Sequence, residues 1–73
     1  MGMLNNTQMA ILAKVIEGKT NSEIASELNY SKRNIKYHLE KIYAYYKIST
    51  QNQYNRRALL IKEVTRQELE KYM

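Results

Sequence analysis

The sequence predicts an all-α fold, a compact four-helix domain with a helix-turn-helix formed by its second and third helices. Apolar residues recur at helical spacing in four stretches. Side-chain caps separated by short polar turns mark the first three starts. Proline is absent and the only glycines are Gly2 and Gly18, which leaves few places for long loops. The helices are expected at about 5–17, 21–28, 32–46 and 52–64 (or continuing to 71), in a single domain over 1–73.

In the first helix Asn5 is the cap, with Gln8 three residues on, and Leu4 and Met9 hold hydrophobic-staple positions. Leu4, Ile11, Leu12, Val15 and Ile16, with Met9 between them, form its apolar stripe. Gly18 follows where a left-handed residue closes a helix, leaving Lys19 to point outward. The second helix opens on the capping box Thr20-Asn21-Ser22-Glu23 and turns Ile24, Ala25 and Leu28 to one side. Ala25 is small enough for the third helix to cross closely.

Only Asn29 and Tyr30 separate the second helix from Ser31, which caps the third, with Tyr30 and Ile35 at staple spacing. Ile35, Leu39, Ile42, Tyr43 and Tyr46 then recur on one face, His38 turns partly toward the core and Tyr45 outward. A polar connection, Lys47 to Gln53, has Ile48 as its one anchor. The fourth helix carries Tyr54, Ala58, Leu60, Ile61 and Val64. Leu59, Leu60 and Ile61 in a row cannot all face one core, so Leu59 or Leu60 is left for a second protein surface. Thr65-Arg66-Gln67-Glu68 is another capping box, with Val64 and Leu69 at staple positions. Either a short fifth C-terminal helix starts there or the fourth runs through.

Size and composition exclude several classes. A chain of 73 residues buries a small core and needs well-packed helices or a second subunit to support it. With no cysteine there is no disulfide or thiolate site, and the sole histidine, His38, cannot build a metal site unaided. No cofactor is expected. No apolar run reaches the roughly 20 residues a membrane helix needs, and no secretory leader is visible, so a cytoplasmic, nucleoid-associated protein is expected.

The net charge of +5 is unevenly placed. Between Asn29 and Lys62 lie Lys32, Arg33, Lys36, Lys41, Lys47, Arg56, Arg57 and Lys62 against Glu40 alone. Such segregation fits a polyanion whose phosphates are neutralised by Lys and Arg. A solvated basic face without a partner is the plainer alternative. Removing the buried set from the third helix leaves Lys32, Arg33, Asn34, Lys36, Tyr37 and Glu40 outward, side chains able to reach base edges and phosphates in a major groove. Lys36 can donate to guanine, and Tyr37 can meet a thymine methyl or a phosphate. Glu40 can accept from a cytosine amino group, although pairing with Lys36 one turn back is slightly favoured. Lys19 and the start of the second helix, where Thr20, Asn21 and Ser22 supply neutral donors, suit a DNA phosphate. For Thr20, capping is the favoured role.

The pattern Leu4…Ile11-Leu12…Gly18…Asn21-Ser22-Glu23-Ile24-Ala25…Leu28…Ser31…Asn34-Ile35-Lys36…His38-Leu39…Ile42-Tyr43 resembles the GerE/LuxR-type helix-turn-helix family of bacterial transcription regulators. The match covers about Leu4 to Tyr46 and then weakens, with a longer connection to the fourth helix. The resemblance implies a DNA-binding domain that acts as a dimer, with the third helix in the major groove and the fourth in dimer contacts. It implies base-facing Lys36 and Tyr37, with Glu40 a third candidate, and backbone roles for Lys32, Arg33 and Asn34. The family's arginine near the start of the fourth helix corresponds loosely to Arg56 or Arg57. Arg56, Leu59 and Leu60 are therefore the expected dimer or partner contacts.

The reading is a sequence-specific, double-stranded-DNA-binding transcription regulator, a homodimer on a near-palindromic site. The alternative is a helix-turn-helix protein-interaction module acting on RNA polymerase, a sigma factor or another regulator. An enzyme is set aside: there is no nucleophile and base pair, no glycine-rich phosphate loop and no paired-carboxylate motif.

Overall fold

A computed structural model of the chain describes residues 3–48 and 53–70. Four helices follow one another: α1 Asn6–Ile16, α2 Asn21–Leu28, α3 Lys32–Tyr45 and α4 Gln53–Glu70. The expected caps close three of them. Asn5 Oδ1 accepts from the Gln8 amide at 2.7 Å while Gln8 Oε1 accepts from the Asn5 amide at 3.1 Å, a reciprocal box. Thr20 and Glu23 repeat it for α2, and the Ser31 hydroxyl accepts from the Asn34 amide at 3.0 Å to start α3. Residues in the left-handed region end the turns: Gly18 at φ 88°, Asn29 at 62° and Lys47 at 60°. Asn tolerates that conformation well, which allows a turn of two residues between α2 and Ser31.

The core is where α3 crosses α1 and α2. Ile11, Val15, Ile24, Ile35, Ile42 and Leu60 are fully enclosed, with Leu12, Ala25, Leu39 and Tyr43 nearly so. Each such aliphatic side chain contributes about 1.5–3 kcal/mol by leaving water. Leu4, Leu28, Tyr46, Ile48, Ile61 and Val64 pack around the margin. The α1 stripe is narrower than expected: Met9 and Ile16 are 50% and 45% exposed. Seven residues apart, they share a column on the flank of the Ile11–Val15 line, beyond the reach of α3.

α4 runs unbroken through Thr65, so the described residues contain no fifth helix. Nothing in the sequence there stops a helix, and a Glu63–Arg66 ion pair spans the would-be cap. Leu69, expected as a staple partner, is 61% exposed. At the other end, residues 49–52 of the polar connection and the Tyr54 side chain lie outside the described residues. Of the leucine pair, Leu60 is fully buried and Leu59 is 42% exposed. The expectation of a partner contact at Leu60 is corrected: α4 meets α1, and a single residue of rotation, 100°, separates core from surface. We expect Leu60→Ala to cost about 2–5 kcal/mol and Leu59→Ala no more than about 0.5 kcal/mol, read from denaturant unfolding. Equal losses would contradict this rotation of α4.

One ionic cluster ties α1 to α2 and the turn between them. Glu27 Oε1 lies 2.7 Å from Lys14 Nζ, and Glu27 Oε2 lies 3.1 Å from Lys19 Nζ. Hydrogen bonds from Lys14 and then Lys19 hold the Glu27 carboxyl below its usual value of 4.5. A carboxyl so lowered stabilises the fold above the ordinary value, and that contribution is lost as pH falls through the lowered one. The Glu27 carboxyl resonance should therefore titrate with a midpoint below 4.5. Glu27→Gln should lose less stability than the parent over that acid range. A Glu27 midpoint at or above the ordinary value would remove the cluster from the account of the fold.

Candidate nucleic-acid interface

The cap at Ser31 and the left-handed Asn29 set where α3 leaves the body, and its buried stripe sets which side faces out. Ile35, Leu39, Ile42 and Tyr43 point into the core. By helical geometry Lys32, Arg33, Asn34, Lys36, Tyr37, Glu40 and Lys41 are then outward, and all are exposed. Tyr37 stands 57% exposed, its ring edge against His38 with centroids 5.3 Å apart and Lys41 Nζ 5.4 Å from its centre. His38 is half-buried as expected, its Nδ1 lying 3.4 Å from Gln8 Nε2 of α1. Tyr45 is exposed and Tyr46 half-buried.

The start of α2 forms the second part of the surface. An open cleft of about 620 Å³ is lined by Gly18, Lys19, Thr20, Asn21, Ser22, Lys32 and Arg57. It brings the expected backbone residues Lys19, Thr20, Asn21 and Lys32 to one cleft. Several are already engaged, which narrows what each can do. The Thr20 amide donates to Glu23 Oε1 at 2.8 Å and its hydroxyl oxygen accepts from the Glu23 amide, so capping is its first role and only the hydroxyl proton remains. Lys19 lines the cleft with its charge shared by Glu27. Asn21 Oδ1 accepts from Arg57 Nη1 at 2.9 Å, which directs the amide's NH₂ end as its donor.

Arg57 is the residue the sequence reading passed over as a site. One guanidinium nitrogen donates to Asn21 and the other to the Lys19 carbonyl, so α4 is stitched to the α1–α2 turn. Its partners stand 36 and 38 residues away, and no local pattern signals such a bond.

Two expectations are corrected at the other edge of α3. Glu40 pairs with Arg56, Nη2 to Oε1 at 2.6 Å, and not with Lys36. A lysine preceding a glutamate by four is the poorer orientation on a helix, and the planar guanidinium matches a carboxylate better than an ammonium. Arg56 is accordingly no outward dimer contact. Its guanidinium carbon sits 4.1 Å over the Tyr43 ring and only 15% of its side chain is exposed. The Glu40 bond is the main cause that raises the Arg56 value further above its ordinary range. Burial pushes the Tyr43 phenol up, against the pull of Arg57 and Arg56.

Among the described residues no cluster of three or more His, Cys, Asp or Glu can hold a metal, and no helix is long and apolar enough to cross a membrane. The arrangement is a helix with a cationic, hydrogen-bonding outer face and a neighbouring cleft of donors. It can dock on a phosphate-lined groove, with side chains for the groove floor from α3 and amides for its rim from α2.

Comparison with curated proteins gives no match, and comparison with solved structures gives none. A family model does match: GerE, described as bacterial regulatory proteins, luxR family, over residues 3–56. That span holds α1, α2, α3, the following connection and the first residues of α4, and so every residue of the α3 face and of the α2 cleft except Arg57. With the buried helix-turn-helix and the outward face of α3 in agreement, the chain belongs to the GerE (luxR) family of DNA-binding bacterial regulators.

Proposed function

We propose that the chain is a sequence-specific, DNA-binding transcription regulator that lays α3 in the major groove and acts as a homodimer on a near-palindromic site. The observation that carries this reading is the division of α3. Its apolar stripe is fully occupied inside the domain, and its other face presents Lys32, Arg33, Asn34, Lys36 and Tyr37 to solvent with no apolar patch among them. Lys36 and Tyr37, with Glu40, read base edges. Lys32, Arg33, Asn34, Lys19, Thr20 and Asn21 hold the backbone on either side. Their arrangement supports these roles because the α2 cleft and the α3 face adjoin through Lys32.

Dimerisation is assigned to α4. Leu59 at 42% and Leu69 at 61% exposure lie on adjoining columns of that helix, with exposed Lys62 and Arg66 between them. A second copy of the chain covers them best, because two α3 helices set about one DNA turn apart (about 34 Å) then meet successive grooves. RNA polymerase or another regulator docking on the same face is the competing occupant. A regulator of this kind works in the cytoplasm, on the nucleoid.

Random-site selection should recover an inverted repeat, and the protein should sediment on it as two copies per duplex. Lys36→Ala should lose about 1–3 kcal/mol of discrimination at one base pair per half-site. Lys32→Ala should weaken all sequences alike and lower the slope of log affinity against log salt by about one per subunit. If neither substitution changes binding to the selected site, α3 is not the reader. One copy per duplex on an asymmetric site would leave α4 to a different partner.

A further inference from the structure

Glu40 is the sole carboxylate of α3, and it sits on the face that otherwise carries the cations. Left bare, it would oppose phosphate at close range. The structure does not leave it bare. Arg56 reaches across from the first turns of α4 and donates to Glu40 Oε1 at 2.6 Å, while half of the glutamate side chain stays exposed. The arginine itself is immobilised, stacked 4.1 Å over Tyr43, which is 7% exposed. Glu40 and Lys36 line one small cleft there, beside Tyr43 and Asn21.

Stability alone accounts poorly for this arrangement. An ion pair with one half-exposed partner adds little to folding. Arg56 also keeps a buried Nε with no acceptor, which is unfavourable. An apolar side chain at that position would cover Tyr43 without either feature. What the guanidinium supplies is a fixed, charge-compensated acceptor at the edge of the outward face of α3.

We propose that Arg56 is a specificity-determining residue that acts through Glu40. It cancels the glutamate's charge toward the DNA backbone and holds the carboxylate as an oriented acceptor for one base edge, a cytosine amino group being the matching donor. The inference rests on the reading of α3 as the groove helix. It adds that α4 takes part in choosing the sequence without touching the DNA.

The test is a double-mutant cycle on the selected duplex and its single-base variants, with Lys36→Ala in the same panel and thermal unfolding recorded for each protein. Glu40→Gln should relax preference at one base pair and leave the others unchanged. Arg56→Gln should weaken binding to all duplexes several-fold, and the deficit should shrink at high salt, because it comes from an exposed charge. Adding Glu40→Gln to Arg56→Gln should restore the affinity of Glu40→Gln alone. Arg56→Lys keeps the charge and loses the planar fork, so it should hold overall affinity and lose the preference at that base pair; this variant serves if Arg56→Gln does not fold. A deficit in Arg56→Gln that persists without the Glu40 carboxylate and follows the melting temperature would overturn the proposal, leaving a structural tie. So would a Glu40→Gln protein with unaltered preferences while Lys36→Ala remains defective. A silent Lys36→Ala would instead remove the groove-helix reading beneath it.

Discussion

The orientation of α3 depends on one packing constraint, the enclosure of Ile35, Leu39 and Ile42 between α1 and α2. Those side chains repeat every three or four residues, so burying them fixes the rotation of the helix about its own axis to within a fraction of a residue step. The assignments on α3 all follow from that rotation. Turned by one residue, Lys36 and Tyr37 would exchange places with core positions, and a lysine without a partner would be buried at a cost larger than any contact it makes. The core therefore does more than stabilise. It selects which side chains of α3 are available to a partner.

Features governed by neighbouring residues were legible in the sequence. The reciprocal Asn5–Gln8 and Thr20–Glu23 caps, the Ser31 cap and the left-handed Gly18 all involve groups within three residues of one another or a single backbone angle. The buried stripe of α3 was readable for the same reason, since helical periodicity is a local property. The GerE-type motif adds the register of the turn, where Asn29 takes the left-handed angle that allows α3 to cross α2.

What the sequence did not disclose depends on α4. The two arginines of its first turns are adjacent and chemically identical, yet Arg56 goes to Glu40 and Tyr43 while Arg57 goes to Asn21 and the Lys19 carbonyl. A step of 100° separates them on a helix, and the packing of Leu60 against the core decides which way each points. The same rotation decides between Leu60 and Leu59. Periodicity could say that one of the leucines is surplus; only the docking angle could say which. Thr65 shows the opposite weakness: a capping signature favours a helix start but does not create one where the preceding turn has no reason to end.

Electrostatics and packing then divide the labour along the chain. The acids of the first half act close to home, with Glu23 closing a cap and Glu27 joining Lys14 to Lys19. Those bonds reduce the positive charge of the α1–α2 side and leave the uncompensated cations concentrated on α3. Field strength near a groove falls off within about 8–10 Å at physiological salt, so cations concentrated on one helix attract a duplex more specifically than the same number spread over the surface. The net charge of +5 understates this, because the remaining compensation lies at sites away from that helix or, at Glu40, is supplied by α4. A fourth helix that packs on α1 while sending Arg56 to α3 and Arg57 to the start of α2 contacts both parts of the candidate interface. Any force that shifts α4, a second subunit included, must therefore act on the geometry of those two parts together.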